Sequence, residues 1–403
     1  MQGQHNTNDN ENDKIQHVSS PYNFSYSLNI ITLNVGLFPW AASNYLEHNR
    51  QVIEHYWYNV LDNKHIRLNW LSLNVWDGGY NTIPQDYFDV YIYDTLYMNY
   101  YISQGWLSIL DRNEITYAHE INSNILSMIE SDNRKYYGIP IYGCFYLLIY
   151  HSKDKELASI KTFEDLVEIA SKRHFLMRKL DGELKMSNYL TLVGSDYHIN
   201  HITEENININ VINQLSHFYK HAKLVLNETD RHSFKHSSFY IGYAEDINTV
   251  LSVDENDLSQ IEFMPVPFNN YDRPQFWLDC IGIHPQAKSR GLYEKSLQLA
   301  NLMSCSTVLN EYLQEQFYVI TTNHITLSHL STKNAIYAKL QILMESNSFR
   351  PSSLPFAINS SLSVKEQRMQ AIALIIAQHQ KQSQSIANTN TNTNTNSNIN
   401  TTS

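Results

Sequence analysis

Cysteine is scarce in this chain: Cys144, Cys280 and Cys305 are the only three in 403 residues. So small and odd a number excludes a disulfide framework, and there is no Cys-x-x-Cys pair to suggest zinc. The 18 histidines are scattered, without His-x-His or His-Glu-x-x-His spacing, so no metal site is expected. Basic charge is also lacking. The net charge is −11 with no Lys/Arg run, which argues against a nucleic-acid partner. No apolar stretch reaches the length of a membrane span, so no membrane partner is expected. The segment Met1–Ser27 is rich in Asn, Asp, Gln and Ser and has no apolar core of a signal peptide. Read literally, this places the protein in the cytoplasm.

What is present is a globular composition. Hydrophobic residues make up 42% and charged residues 17%, and the length suits two domains of ordinary size. Aromatics reach 12%, with 28 tyrosines. Part of that excess is core, and the rest suggests an aromatic-lined cavity. An acidic protein with such a cavity suits a small neutral or cationic ligand.

Strands alternate with helices, which predicts βαβ units and an α/β fold with a largely parallel sheet. Strands are expected at 28–37, 65–73 and 88–93, with helices at 43–61 and 96–104, the latter closed by Gly105. A helix over 162–172 should be capped by Thr162 with Asp165 completing a capping box. Two further helices fit 187–194 and 208–226. Short strands fit 239–243 and 262–266, and the chain is mainly helical beyond Gly291. Two long apolar strands, near 144–150 and 276–283, flank a middle block. This arrangement predicts two lobes, two interlobe crossings and a central cleft that would hold a ligand. The expected division is a disordered arm at 1–27, lobe 1 at 28–140, lobe 2 at 141–283, a return to lobe 1 at 284–377 and a disordered Asn/Thr-rich tail at 378–403.

Four residues stand out chemically. Cys144 follows Gly143 at the mouth of an apolar strand, where a thiol is either a small core residue or a nucleophile. Glu245 follows the strand at 239–243, where a carboxylate either favours a helix N-terminus or acts on a ligand. Asp94 ends the third strand and can cap the helix that follows. Asp279 lies inside an apolar strand, which is costly for a carboxylate unless it faces a polar cleft. Cys280 would point to the opposite side of that strand, and Cys305 lies among helices.

The ordered set Gly36-Leu-Phe-Pro-Trp40, Phe88-Asp-Val-Tyr-Ile-Tyr-Asp94, Tyr137-Gly-Ile-Pro through Cys144, Ile241-Gly-Tyr-Ala-Glu245 and Trp277-Leu-Asp279 resembles the thiaminase I (thiamine pyridinylase) family over roughly residues 28–350. The resemblance implies a two-lobed type 2 periplasmic-binding-protein-like fold, and a transferase that acts on thiamine. Cys144 would be the nucleophile attacking the pyrimidine and Glu245 the base that takes its proton, because an unperturbed thiol titrates near ~8.5 and attacks poorly. The thiazole would leave, and a small amine or thiol would accept the pyrimidinylmethyl group.

By the same resemblance, Asp94 and Asp279 would hydrogen-bond the aminopyrimidine. Tyr80, Tyr243, Trp277, Phe38 and Trp40 would form aromatic walls, each contact adding of order 1 kcal/mol. Phe38, Trp40 and Trp277 stand where the family typically has tyrosines, so three hydroxyls are missing. The reaction requires no cofactor and no metal, and a monomer is expected. Bacterial members are commonly exported, in contrast to the polar N-terminal segment here. The alternative is a non-catalytic protein of the solute-binding fold that binds thiamine or a related pyrimidine.

Overall fold

The computed structural model describes residues 30–37, 43–131, 133–178, 182–193, 202–225, 237–247, 260–268, 275–313, 319–346, 350–351 and 364–397. In chain order the strands are β1 (Ile31–Gly36), β2 (Ile66–Trp70), β3 (Val90–Asp94), β4 (Ile139–Cys144), β5 (Tyr146–His151), β6 (Phe175–Arg178), β7 (Ala222–Val225), β8 (Phe239–Tyr243), β9 (Ile261–Pro265), β10 (Gln275–Ile283), β11 (Ile320–Thr321) and β12 (Arg350–Pro351). They form two sheets and therefore two lobes. The first has the order β11-β4-β10-β3-β1-β2, with β12 paired to β10, and the second the order β7-β6-β8-β5-β9. No helix among the described residues is long and apolar enough to cross a membrane.

The first lobe combines parallel pairing of β1 with β2 and β3 and antiparallel insertion of β10 between β3 and β4. Both faces of β3 are buried, as its unbroken apolar run requires. Trp76 anchors the loop after β2: its indole N–H donates to the Ile92 carbonyl at 2.9 Å, and its ring occupies the space beside Gly36 where any Cβ would collide. The helix Ser43–His55 continues into one π-helical segment at Tyr56–Val60. The expected capping box at Thr162 and Asp165 forms in the second lobe, and Gly105 adopts φ +69°.

Four expectations need correction. The segment Ile139–Tyr150 is two strands in different sheets, separated by Phe145 alone, so Cys144 ends a first-lobe strand rather than opening a second-lobe one. Phe145 is fully buried against Phe276, with ring centroids 5.0 Å apart. Likewise β10 belongs to the first lobe, so the second lobe's sheet ends at β9 and the boundaries 141 and 283 both shift inward. Local apolarity marks both strands as buried but carries no record of which sheet they join.

The third correction concerns the C-terminus. The helix Val364–Ser397 packs on the second-lobe helices Gly182–Val193 and Ile209–Lys220, and an unfolded tail does not begin at 378. Arg368, Ala371, Ile372, Ile375, Gln378 and His379 are buried at helical spacing. The polar residues Gln378 and His379 complete this stripe, and composition therefore conceals its periodicity. The segment 208–226 also divides, giving Ile209–Lys220 as helix and β7 as an edge strand.

Candidate active site

The site grows from the register of three strands. In β10, Phe276 and Leu278 are fully buried while Trp277 and Asp279 are only partly so. The strand therefore turns Trp277 and Asp279 together toward the less enclosed face. Trp277 pairs with Cys144 of β4, and Asp279 pairs with Tyr142 of β4 on one side and Asp94 of β3 on the other. Directly paired residues share a sheet face. Cys144, Tyr142, Trp277, Asp279 and Asp94 thus line one face, and a register shift follows only after Asp279. Cys144 is partly exposed, whereas Cys280 and Cys305 are buried. Gly143 lets β4 pass directly over the Phe276 ring, which lies 2.0 Å from where a Cβ would stand.

Asp94 performs two tasks at once. One carboxylate oxygen accepts from the Leu96 amide at 2.8 Å, capping the next turn, and the other accepts from the Tyr80 hydroxyl at 3.1 Å. Burial pushes the Asp94 carboxyl up to about 6 against the opposing pull of these two donors. Asp279 is held well above the usual carboxylate range, first by burial and then by the negative charges of Asp94 and Glu245. Three carboxyl groups therefore converge here. The shifts of Asp94 and Asp279 both run upward, so the pair favours holding one proton between its members, which sets a donor beside an acceptor.

Tyr80 is presented by a turn built on Asp77. The Asp77 carboxylate accepts from the amides of Gly79, Asn81 and Thr82 and from the Thr82 hydroxyl; burial pushes it up, but the Thr82 and Asn81 donors together hold it below its ordinary range. Gly78 and Gly79 take φ +86° and +101°. The Tyr80 ring meets Tyr97 edge-on at 5.8 Å. From the second lobe, Tyr243 ends β8 opposite Tyr146 and meets Trp277 edge-on at 5.7 Å. This contact joins aromatic side chains of the two lobes beside the carboxyl cluster. Glu245 follows two residues beyond β8, partly exposed.

The structure thus brings together Cys144, Trp277, Asp279, Asp94, Tyr80, Tyr243 and Glu245. Phe38 and Trp40 lie outside the described residues. Sequence reading missed Tyr142, although its two-residue spacing from Cys144 on a strand was signal enough. Its hydroxyl is hydrogen-bonded to that of Tyr312. It also missed Asp77, whose Asp-Gly-Gly turn was visible, and Arg368, which donates to the Tyr80 carbonyl and had no local signal. A separate groove of about 450 Å³, bordered by Glu114, Tyr117, Glu294 and Asn301, contains none of the expected residues.

Comparison with known proteins agrees with this architecture. A spermidine/putrescine transporter substrate-binding protein from Streptococcus pneumoniae superposes with a TM-score of 0.55 at 11% identity, covering 87% of this chain and 99% of that one. The chain is a two-lobed α/β protein of the type 2 periplasmic-binding-protein-like fold. Thiaminase I of Clostridium botulinum, in complex with thiamin, superposes with a TM-score of 0.73 at 18% identity, covering 86% of this chain and all of that one. The curated thiaminase-1 of Paenibacillus thiaminolyticus is 22% identical over 320 residues, 70% of this chain and 75% of its own. Within this fold class the chain is similar to thiaminase I. No protein-family model matches it.

Proposed function

We propose that this protein degrades thiamine by moving its pyrimidinylmethyl group to a small amine or thiol. The observation that carries this reading is the single face shared by Cys144, Asp279 and Asp94, with the charge of Glu245 felt at Asp279. With one proton between them, Asp279 and Asp94 offer a donor and an acceptor. An aminopyrimidine edge presents the complementary ring nitrogen and amino group. Tyr243 and Trp277 supply rings for the heterocycles, and the net negative charge of the cluster favours the thiazolium cation.

Cys144 adds as thiolate to the pyrimidine ring after passing its proton to Glu245. The bond from the methylene to the thiazolium nitrogen then breaks, and the thiazole leaves with that electron pair. The acceptor forms a new bond to the methylene and releases its N–H or S–H proton to solvent, the ring expels the Cys144 thiolate, and Glu245 returns the proton it took. The cysteine is thereby regenerated without any change of oxidation state.

The test is to incubate the protein with thiamine plus pyridine or aniline and search by mass spectrometry for the exchanged pyrimidine adduct. Exchange should depend on the added nucleophile, and a pyrimidine adduct should map to Cys144. Exchange at an undiminished rate in Cys144→Ala would remove the nucleophile assignment. Thermal stabilisation by thiamine with no product, across several acceptors, would favour a non-catalytic binding protein instead.

A further inference from the structure

By its packing, the C-terminal helix Val364–Ser397 belongs to the second lobe. Ile372 fills the space where a Cβ on Gly182 would stand, 2.2 Å from its Cγ2. Two turns further, His379 Nδ1 lies 2.5 Å from the Ser216 hydroxyl and its ring lies 5.5 Å from Tyr219. Arg368, on the same helix, reaches the other way into the first lobe. It is 3% exposed. Its guanidinium donates to the Tyr97 hydroxyl and, at 2.6 Å, to the backbone carbonyl of Tyr80. The guanidinium carbon lies 5.6 Å from the Tyr80 ring centroid and 5.9 Å from that of Tyr97.

A buried guanidinium is costly unless its donors are matched, and its flat fork can stack on rings while donating in two directions, which an ammonium cannot reproduce. Here two of its five N–H donors go to the two tyrosines that stand beside the carboxyl cluster. Tyr80 is therefore held from two sides. The Asp77 turn fixes its approach from within the first lobe, and Arg368 fixes its carbonyl and ring face from a helix seated on the second.

We infer that Arg368 is a positioning residue for the cleft, fixing Tyr80, and through its hydroxyl the Asp94 carboxylate, only while the two lobes hold this spacing. The C-terminal helix thereby acts as a strap that couples lobe approach to the order of the ligand-binding wall. Its effect on ligand rests on the thiamine reading; the strap itself does not.

Two measurements test this. The first is hydrogen exchange on the full chain, comparing wild type with Arg368→Gln and Arg368→Lys. Exchange at residues 78–82 and 95–101 should rise by at least about threefold in Arg368→Gln and less in Arg368→Lys, while residues 371–379 keep their protection. Unchanged exchange around Tyr80 overturns the strap. The second is a double-mutant cycle of Arg368→Gln with Tyr80→Ala, read as thiamine affinity in a Cys144→Ser background to prevent turnover.

Arg368→Gln should weaken binding about tenfold, and the double variant should bind within about twofold of Tyr80→Ala alone. Losses that multiply in full overturn the positioning role. If Arg368→Gln fails to fold, Arg368→Lys carries the same cycle. If the unmodified protein does not bind thiamine, the thiamine reading fails and the exchange measurement alone decides the role of Arg368.

Discussion

Asp279 of β10 lies directly opposite Asp94 of β3 in antiparallel register, so two carboxyl groups share one face of the first sheet. Each is pushed upward by burial, and Asp279 also by its neighbours' charge. The pair favours one proton between its members, which makes the site both a ligand reader and a source of instability.

The instability is measurable through Asp94. Its folded value is about 6, above the usual carboxylate value of about 4. The folded state therefore holds the proton more tightly than the unfolded one. Stability from this group is full below pH ~4 and is lost as pH rises through ~6. Relative to Asp94→Asn, the unmodified protein should lose on the order of 2–3 kcal/mol of unfolding free energy between pH 4 and pH 8. Urea denaturation at both pH values checks this, and a gap that does not change with pH removes the assignment.

His379 works in the opposite sense. Burial, assisted by Lys185, lowers it to about 4, while an unfolded histidine titrates near ~6.5. The unfolded state then binds the extra proton first, and stability drains away as pH falls from ~6.5 toward ~4. Comparing unmodified protein with His379→Gln should show the former losing about 2 kcal/mol of its relative stability between pH 7 and pH 5. Melting curves of the two proteins in matched buffers provide the comparison.

Two glycines with positive φ separate backbone strain from collision. Gly79 has φ +101°, and a Cβ there would sit 2.1 Å from the Tyr101 hydroxyl oxygen. Gly105 has φ +69° and nothing within 4 Å. Gly105→Ala should cost about 1 kcal/mol, whereas Gly79→Ala should cost at least about 2 kcal/mol and displace Tyr80 as well. Equal costs in chemical denaturation would show that the turn gives way freely.

Glu245 can be tested without any turnover. If it takes the Cys144 proton, Glu245→Gln should slow alkylation of Cys144 by iodoacetamide about tenfold at neutral pH, with the melting temperature nearly unchanged. Peptide mapping separates Cys144 from Cys280 and Cys305, whose burial should leave them unreactive. An unaltered alkylation rate would leave Cys144 without this base.

Local signals in the sequence were read well where the responsible contacts are local. The Thr162–Asp165 box, the Gly105 helix stop and the apolar runs of β3 and β8 need only neighbouring residues to define them. Asp279 could be noticed because a carboxylate in an apolar strand demands a reason. Its pairing with Asp94 could not, because register between strands nearly two hundred residues apart leaves no local trace. Arg368 is the extreme case, a polar residue on a polar-looking segment whose partners lie 271 and 288 residues away. The assignment of β4 and β10 to one sheet failed for the same reason: apolarity reports burial and is silent about the partner.

The place of β10 between β3 and β4 has a consequence for biogenesis. As the chain leaves the ribosome, β3 and β4 are complete long before the strand that joins them exists. The entire second-lobe sheet must be synthesised first. Until then the nascent first lobe presents unpaired edges on β3 and β4, the kind of surface that recruits other chains. Closure of that sheet is a late, long-range event, and such topologies fold slowly. Because Cys144 ends one of the waiting strands and Asp279 arrives on the late one, the carboxyl cluster and its thiol come into being together, only after the second-lobe sheet has been made.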